Sequence, residues 1–384
     1  MLDLGFKRTL FREEHEQFRD QVRRFIANEI APHHAAWDAA RQVPRELWRK
    51  AGDLGMLGCT VPEEYGGTGA DWLFDMIVLE ELAWAHAPGP GFPVHSEMAM
   101  PYLSAFASED LKRTWLPKLV SGEAIAGVAM SEPDAGSDLR AMRTTAKRTA
   151  AGYAISGQKV FITNGIYADV LVVAAKIEGT DSRISLFLVE TNRAGFNRGR
   201  KLDKIGNPAR DTAELFFDNV EIPAGNLIGA EGEGFRYLMR GLARERLAVC
   251  VTCQARAEAV LRDTIAYVSD RKVFGQTLST FQNTRFSLAQ VKTEVALGRV
   301  FVDRMTAAYL ADELDSSTAA TGKLWLSEMV GRTADACLQL HGGSGYMRET
   351  AVARAYADSR AERIAGGTSE IMKEIVARTL FPDS

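Results

Sequence analysis

The sequence predicts a mostly helical protein with a central β domain: an N-terminal helical segment, a middle β module and a C-terminal helical bundle. Three observations carry this. Phe18, Val22, Phe25 and Ile26 recur at i, i+4, i+7 and i+8 with Glu and Arg between them, a stripe one helix face wide. Short β-rich runs then fill the middle of the chain, with no helical pattern between them. From Gly234 onward Ala-rich helical stretches return.

In residues 1–125, Pro32, Pro44, Pro62 and the Pro88 to Pro93 stretch divide the chain into short helices. The Gly66-Gly67-Thr68-Gly69 run lacks G-x-G-x-x-G spacing and a leading strand, so it reads as a loop and not as a phosphate cradle. In residues 126–233 the runs Tyr153 to Ile155, Lys159 to Thr163, Val170 to Ala174, Ile184 to Val189 and Glu214 to Val220 alternate with Gly and Asn turn signals. That pattern predicts an antiparallel sheet or barrel and not a βαβ fold. In residues 234–384, Leu261, Ile265 and Val268 share a face, and the stretches Val295 to Ala311 and Thr318 to Leu340 supply further helices of a bundle.

The 384 residues are 46% hydrophobic and 25% charged, enough for a large core in two or three domains. A net charge of −4 gives no bulk attraction to nucleic acid or anionic lipid, so an anionic ligand must be held by local groups. Apolar runs such as Val170 to Ala175 are too short to span a bilayer. Met1 to Leu10 carries Asp3 and no apolar h-region, so no secretory signal is expected. Four cysteines in this length do not make a disulfide framework, and the expected location is a reducing cytoplasm. Cys250 and Cys253 have C-x-x-C spacing, but they sit in an Ala/Val-rich helical stretch with no second ligand pair. Packed helix cysteines are expected there, and no metal.

Three segments carry chemistry. Ala129-Met130-Ser131-Glu132-Pro133-Asp134-Ala135-Gly136-Ser137-Asp138 combines small residues, a Pro-Asp turn and hydroxyls, so backbone can approach a ligand closely. Val160-Phe161-Ile162-Thr163-Asn164-Gly165 is a strand that presents a hydroxyl and ends on a Gly turn. The third comprises Gln339-Leu340-His341-Gly342-Gly343-Ser344-Gly345-Tyr346 and Gly366-Gly367-Thr368-Ser369-Glu370-Ile371.

In this order and spacing the segments resemble the acyl-CoA dehydrogenase family over essentially the whole chain. Arg-Lys-x-Phe-Gly from Arg271 and Gly-Gly-Thr-x-Glu-Ile-Met-Lys-Glu from Gly366 are most similar to its long-chain branch. The resemblance implies an N-terminal helical domain, a middle antiparallel β-barrel and a C-terminal four-helix bundle. It also implies FAD, an acyl-CoA substrate, an electron-transferring flavoprotein as acceptor, and a homo-oligomer, by resemblance a tetramer. Val128, Met130, Ser131, Phe161, Ile162 and Thr163 would hold the flavin ring, and Ser137 would meet cofactor and acyl-CoA. Arg271, Phe274, Gln282, Gln339, Gly342 and Gly343 would hold the FAD pyrophosphate and adenosine across a subunit boundary, with Thr368 and Glu370 closing the site. A guanidinium and free backbone N–H groups are what a pyrophosphate needs, although Arg271 is also placed to cap a helix C-terminus.

The reaction implied needs a carboxylate to take the α-proton. Many family members carry it in the C-terminal loop, at the position of Gly366 here, which has no side chain. The isovaleryl- and long-chain branches carry it instead at the position matching Glu245, in Gly241-Leu242-Ala243-Arg244-Glu245-Arg246-Leu247. Glu245 is therefore the expected base, against the alternative of a surface Glu-Arg pattern. Gly366 keeps the backbone N–H that would hold the thioester oxygen, with Gly367 beside it, and Arg246 would position substrate or helix. Arg236 stands where long-chain relatives carry a Tyr. The rival readings are an acyl-CoA oxidase, a nitroalkane oxidase or a flavin monooxygenase on this fold, and an acyl-CoA-binding relative without catalysis. Glu245 argues against nitroalkane oxidases, which use Asp.

Overall fold

The computed structural model describes residues 3–180 and 183–381, so Met1 and Leu2 of the N-terminal stretch lie outside the described residues. Six helices open the chain: α1 (Glu13–Phe25), α2 (Ala31–Ala40), α3 (Glu46–Asp53), α4 (Trp72–Trp84), α5 (Met100–Phe106) and α6 (Glu109–Val120). The apolar stripe read from the sequence is the buried face of α1, and it runs into a π-helical turn, Ile26–Ile30. Helix α4 buries Trp72, Leu73, Met76, Ile77, Leu79 and Leu82 around its whole circumference, as an interior helix must. Asp71 caps its N-terminus by accepting from the Leu73 N–H at 2.9 Å. The Gly66–Gly69 loop spends its amides on itself, Gly67 N–H on the Pro62 carbonyl and Gly69 N–H on that of Val61, which leaves no phosphate cradle.

The middle module is one eight-stranded sheet: β1 (Ala126–Ala129), β2 (Thr145–Arg148), β3 (Gly152–Thr163), β4 (Val170–Ile177), β5 (Ile184–Glu190), β6 (Phe196–Lys201), β7 (Thr212–Pro223) and β8 (Leu227–Ile228). The order is β6-β7-β3-β2-β4-β5-β8, with β1 beside β4. Most pairings are antiparallel, as the turn signals predict. Two are parallel, β1 with β4 and β2 with β4, because β1 and β2 follow one another along the same edge of β4. The Glu132-to-Thr144 excursion between them returns the chain in the same direction, which a tight hairpin cannot do. Alternate residues of β4 face two different cores. Leu171, Val173 and Ala175 pack inside the sheet with Phe187 and Val189, whereas Val170, Val172 and Ala174 pack against the N-terminal helices. A strand buried on both faces reads as a continuous apolar run.

The bundle comprises α7 (Gly234–Asp270), a small hairpin of β9 (Lys272–Val273) and β10 (Gln276–Thr277), then α8 (Gln282–Leu310), α9 (Ser316–His341), α10 (Ala351–Ser359) and α11 (Ser369–Leu380). Buried charge clamps the N-terminal helices to it. Arg299 of α8 donates to Glu80 of α4 and Glu258 of α7, both at 2.7 Å, while Arg19 of α1 reaches Glu80 at 3.0 Å. Removing one partner from such a group strands a buried charge. Among the described residues no helix is long and apolar enough to cross a membrane.

Candidate active site

The Met130–Asp138 loop leaves the sheet where β1 ends, and Glu132 ties both of its ends. Its carboxylate accepts from the Arg143 N–H at 2.6 Å, the Thr144 N–H at 3.0 Å and Lys159 Nζ at 2.8 Å. Lys159, buried on β3, also donates to the Met130 carbonyl at 3.0 Å, and Val160 N–H donates to the Ser131 carbonyl at 2.9 Å. Burial pushes the Lys159 ammonium down to about 8, against the attraction of Glu132. The loop is thus stapled to β3 at its base, while Ser137 stands exposed near its tip.

Strand β3 is irregular where the site needs it. Its pairing with β7 shifts register between Lys159 and Ile162, and Phe161 adopts φ +62°. A left-handed Phe costs on the order of 1 kcal/mol or more, and the bulge rotates its ring out of the core, where it is 69% exposed. Val128 and Ile162 remain buried and contribute backbone and packing. Asn164 locks the strand end by donating to the carbonyls of Gly91 and Ala126 at 3.1 and 3.0 Å. The sheet therefore brings Val128, Met130, Ser131, Phe161, Ile162 and Thr163 to one edge. The hydroxyls of Ser131, Thr163 and Ser137 have no hydrogen-bond partner among the described residues.

A second group collects at one end of the bundle. Tyr267, one turn before the end of α7, stacks on His341 with ring centroids 4.2 Å apart, which draws Arg271 and the Gln339–Gly343 segment to the same end. Arg271 is the C-cap residue of α7 through its backbone, yet its guanidinium is exposed without a partner among the described residues. Phe274 has φ +50° and is 96% exposed. Gln282 and Gln339 are exposed with unspent amides, and Gly342 and Gly343 border open space. This free guanidinium, these two amides and this side-chain-free turn match the donors a pyrophosphate needs. No hydrogen bond or ion pair among the described residues joins this group to the β1–β3 edge.

Glu245 lies on α7, facing the N-terminal helices, and is only 5% exposed. Tyr102 of α5 donates to its Oε1 at 2.6 Å. Burial pushes the Glu245 carboxyl up to about 7, against the Tyr102 hydrogen bond and the Arg246 charge, which both hold it down. Glu245 is therefore no surface charge. Arg246 is buried and donates to the Ser316 hydroxyl at 2.9 Å, which fits a role in holding the helix. Arg244 points the other way, to Asp75 and Glu97 at 3.0 Å each. Arg236 lies on the surface, paired with Glu233 at 2.5 Å.

The C-terminal loop turns through two left-handed glycines, Gly366 at φ +66° and Gly367 at φ +96°. The Gly366 N–H has no acceptor among the described residues, and the space beside its Cα is open. Lys323, buried on α9, donates to the Gly367 carbonyl and fixes the loop. Thr368 caps α11, accepting from the Ile371 N–H at 3.4 Å, and Glu370 is exposed in its first turn, so both also serve the helix. Cys250 and Cys253 are free, fully buried thiols, and burial pushes both well above the usual range. They are packing residues.

Four residues of this machinery carry no role from the sequence. Glu132 and Lys159 lie inside the two informative motifs and could have been weighed as an opposite-charge pair. Tyr102 and Lys323 have no local signal at all.

Three family models match the chain: Acyl-CoA dehydrogenase, N-terminal domain, over residues 12–123, middle domain over 127–220, and C-terminal domain over 232–381. The chain is similar to the mitochondrial long-chain specific acyl-CoA dehydrogenase of Sus scrofa, 44% identical over 388 residues that cover 100% of this chain and 90% of that protein. It is similar to a solved acyl-CoA dehydrogenase from Geobacillus kaustophilus (TM-score 0.95, 44% identity, 97% of this chain and 100% of that one). It is also similar to a glutaryl-CoA dehydrogenase from Mycobacterium smegmatis solved in complex with FADH2 (TM-score 0.91, 30% identity, 97% and 96% covered).

Proposed function

The chain belongs to the acyl-CoA dehydrogenase family of FAD-dependent oxidoreductases, and from that premise we propose that it converts a medium-, long- or branched-chain fatty acyl-CoA to the trans-2-enoyl-CoA, with Glu245 as base. The observation that carries the reading is the Glu245 carboxyl, buried on α7 and pushed up to about 7, in a chain with glycine at the loop position. A base poised near neutral pH can take a proton from carbon and release it again.

When bound, FAD supplies the acceptor for the hydride that leaves the β-carbon. The remaining work falls to residues of this chain. Ser131 and Thr163 offer unspent hydroxyls to the polar edge of the ring, and Phe161 offers an exposed face. Arg271, Gln282, Gln339 and the Gly342–Gly343 turn hold the diphosphate and adenosine. Because no hydrogen bond or ion pair among the described residues joins that group to the β1–β3 edge, and because the resemblance implies a site shared across a subunit boundary, we assign it to the FAD of a second subunit. The helix α8 face that exposes Phe286, Leu297 and Val300 suits burial between copies in a tetramer. Ser137 meets the acyl-CoA. The open N–H of Gly366 holds the thioester oxygen as negative charge develops on it, which is where a fixed donor accelerates most. Electrons pass to an electron-transferring flavoprotein, and the four free, buried thiols suit the reducing cytoplasm we assign.

The test is anaerobic bleaching of the yellow holoprotein by octanoyl-, hexadecanoyl- and isovaleryl-CoA. Glu245→Gln should retain FAD and lose on the order of 10²–10⁴-fold in the bleaching rate. Near-wild-type bleaching by that variant overturns the assignment. Oxygen uptake in place of flavoprotein reduction would convert the reading to an oxidase.

A further inference from the structure

Helix α5 crosses the first turns of α7 along a face that ends at Glu245. Phe106 of α5 stacks on Tyr237 of α7 with ring centroids 4.2 Å apart. One turn earlier on α5, Tyr102 lies over Gly241 and reaches Glu245. Tyr237, Gly241 and Glu245 follow at i, i+4 and i+8, so they form one ridge under the two aromatic rings. A Cβ at Gly241 would stand 2.8 Å from the Tyr102 hydroxyl oxygen and 3.0 Å from the ring carbon that bears it. Only a residue without a side chain lets the phenol lie there.

The phenol is 2% exposed and its hydroxyl is spent on Oε1 of Glu245 at 2.6 Å, the length of a strong bond to a charged acceptor. A carboxylate with one oxygen held in this way has a fixed rotamer, and only its second oxygen is free to take a proton. We propose that Tyr102 is the positioning residue of the proton-abstraction step, holding Glu245 through one oxygen, and that Gly241 is the gap in α7 that admits its phenol. This rests on the reading of Glu245 as base.

The other charged groups nearby are accounted for. Arg246 lies on the same helix and is engaged by Ser316. Arg244 is neutralised by Asp75 of α4 and Glu97 of the preceding π-helical turn, Val94–Ala99. Lys323 of α9 is spent on the Gly367 carbonyl. Tyr102 is therefore the one of these side chains that donates to Glu245 directly. Its hydrogen bond favours the ionised carboxylate, so its loss must make Glu245 harder to ionise.

The experiment measures anaerobic flavin reduction by hexadecanoyl-CoA against pH in the FAD-loaded wild type, Tyr102→Phe, Gly241→Ala and the double variant. An infrared titration of the Glu245 carboxyl stretch without substrate, with Glu245→Gln as the blank, reads the same group independently of turnover. Tyr102→Phe should move the acid limb and the carboxyl titration upward by about one pH unit, a roughly tenfold rate loss below the limb, with FAD content unchanged. Gly241→Ala should move both in the same direction by displacing the phenol, and the double variant should move them little further. If Tyr102→Phe fails to fold, Gly241→Ala decides alone. An unmoved limb and carboxyl titration, with Glu245→Gln inactive, overturn the proposal while sparing the base. Active Glu245→Gln removes the base reading and this proposal together.

Discussion

Glu245 should destabilise the folded protein at the pH where it works. Its carboxyl is held at about 7 in the fold, against an ordinary value of 4.5, chiefly by burial. Below about pH 4.5 the group is protonated whether the chain is folded or unfolded, and it carries no penalty. As the pH rises from there, the unfolded chain ionises first, so stability falls until the folded group also ionises near 7. At roughly 1.4 kcal/mol per pH unit, the interval is worth about 3 kcal/mol, and the loss is complete by pH 8. Glu245→Gln does not titrate, and its amide oxygen can still accept from Tyr102. The variant should match the wild type near pH 4.5 and exceed it by up to about 3 kcal/mol at pH 8. For a chain of this length that is a rise of roughly 4 °C in Tm, from about 2 cal/mol/K of unfolding entropy per residue. Thermal unfolding of both FAD-loaded proteins at pH 5 and pH 8 checks it. A difference in Tm that does not grow with pH, or that grows in favour of the wild type, refutes the burial argument.

Arg299→Met should cost about 3–5 kcal/mol, because Glu80 and Glu258 each lose a buried partner, and chemical denaturation measures it. A cost under about 1 kcal/mol would show that Arg8 and Arg19, which each donate to Glu80 at 3.0 Å, and Gln254, which donates to Glu258 at 2.9 Å, suffice for those carboxylates. Lys323→Met frees the Gly367 carbonyl and loosens the loop that carries the Gly366 N–H. We expect a ten- to hundredfold fall in turnover, on the order of a small misplacement at the reacting centre, with FAD still bound. Unchanged turnover would remove Lys323 from the machinery. Arg271→Met should weaken FAD binding to the apoprotein by roughly ten- to a hundredfold, the worth of one charge-assisted contact. Unaltered affinity in an FAD titration would leave the bundle end without its anchor.

The order of helices, sheet and helices was legible because it rests on short-range periodicity. The Phe18-to-Ile26 stripe needs only its own helix to be recognised, and the Val170-to-Ala174 run is recognised as a strand from its own β-rich residues. The loop motifs were legible for a related reason. Ser131, Ser137, Thr163, Arg271, Gln282 and Gln339 have side chains without a partner among the described residues, so no contact there alters what their local chemistry says. Glu245 came from the resemblance, which implies a carboxylate at that position in the branches whose loop, like this one at Gly366, carries none. A desolvated carboxylate raised toward neutral pH is what that role implies, and Glu245 is indeed buried and pushed up to about 7, but the Arg-Glu-Arg run alone suits a solvated helix face equally well.

Only the tertiary structure decided which face of α7 is buried, and so which partners its charges meet. Arg244 goes to Asp75 and Glu97, and Glu245 goes to Tyr102, 143 residues away in sequence. The same holds for Glu132 with Lys159 and for Lys323 with Gly367, separated by 27 and 44 residues. The parallel pairing of β1 with β4 depends on the loop excursion that separates β1 from β2. Periodicity determines which elements form because its energetics are local. Partner choice depends on which polar groups are withdrawn from water together, and that is settled only when distant elements pack.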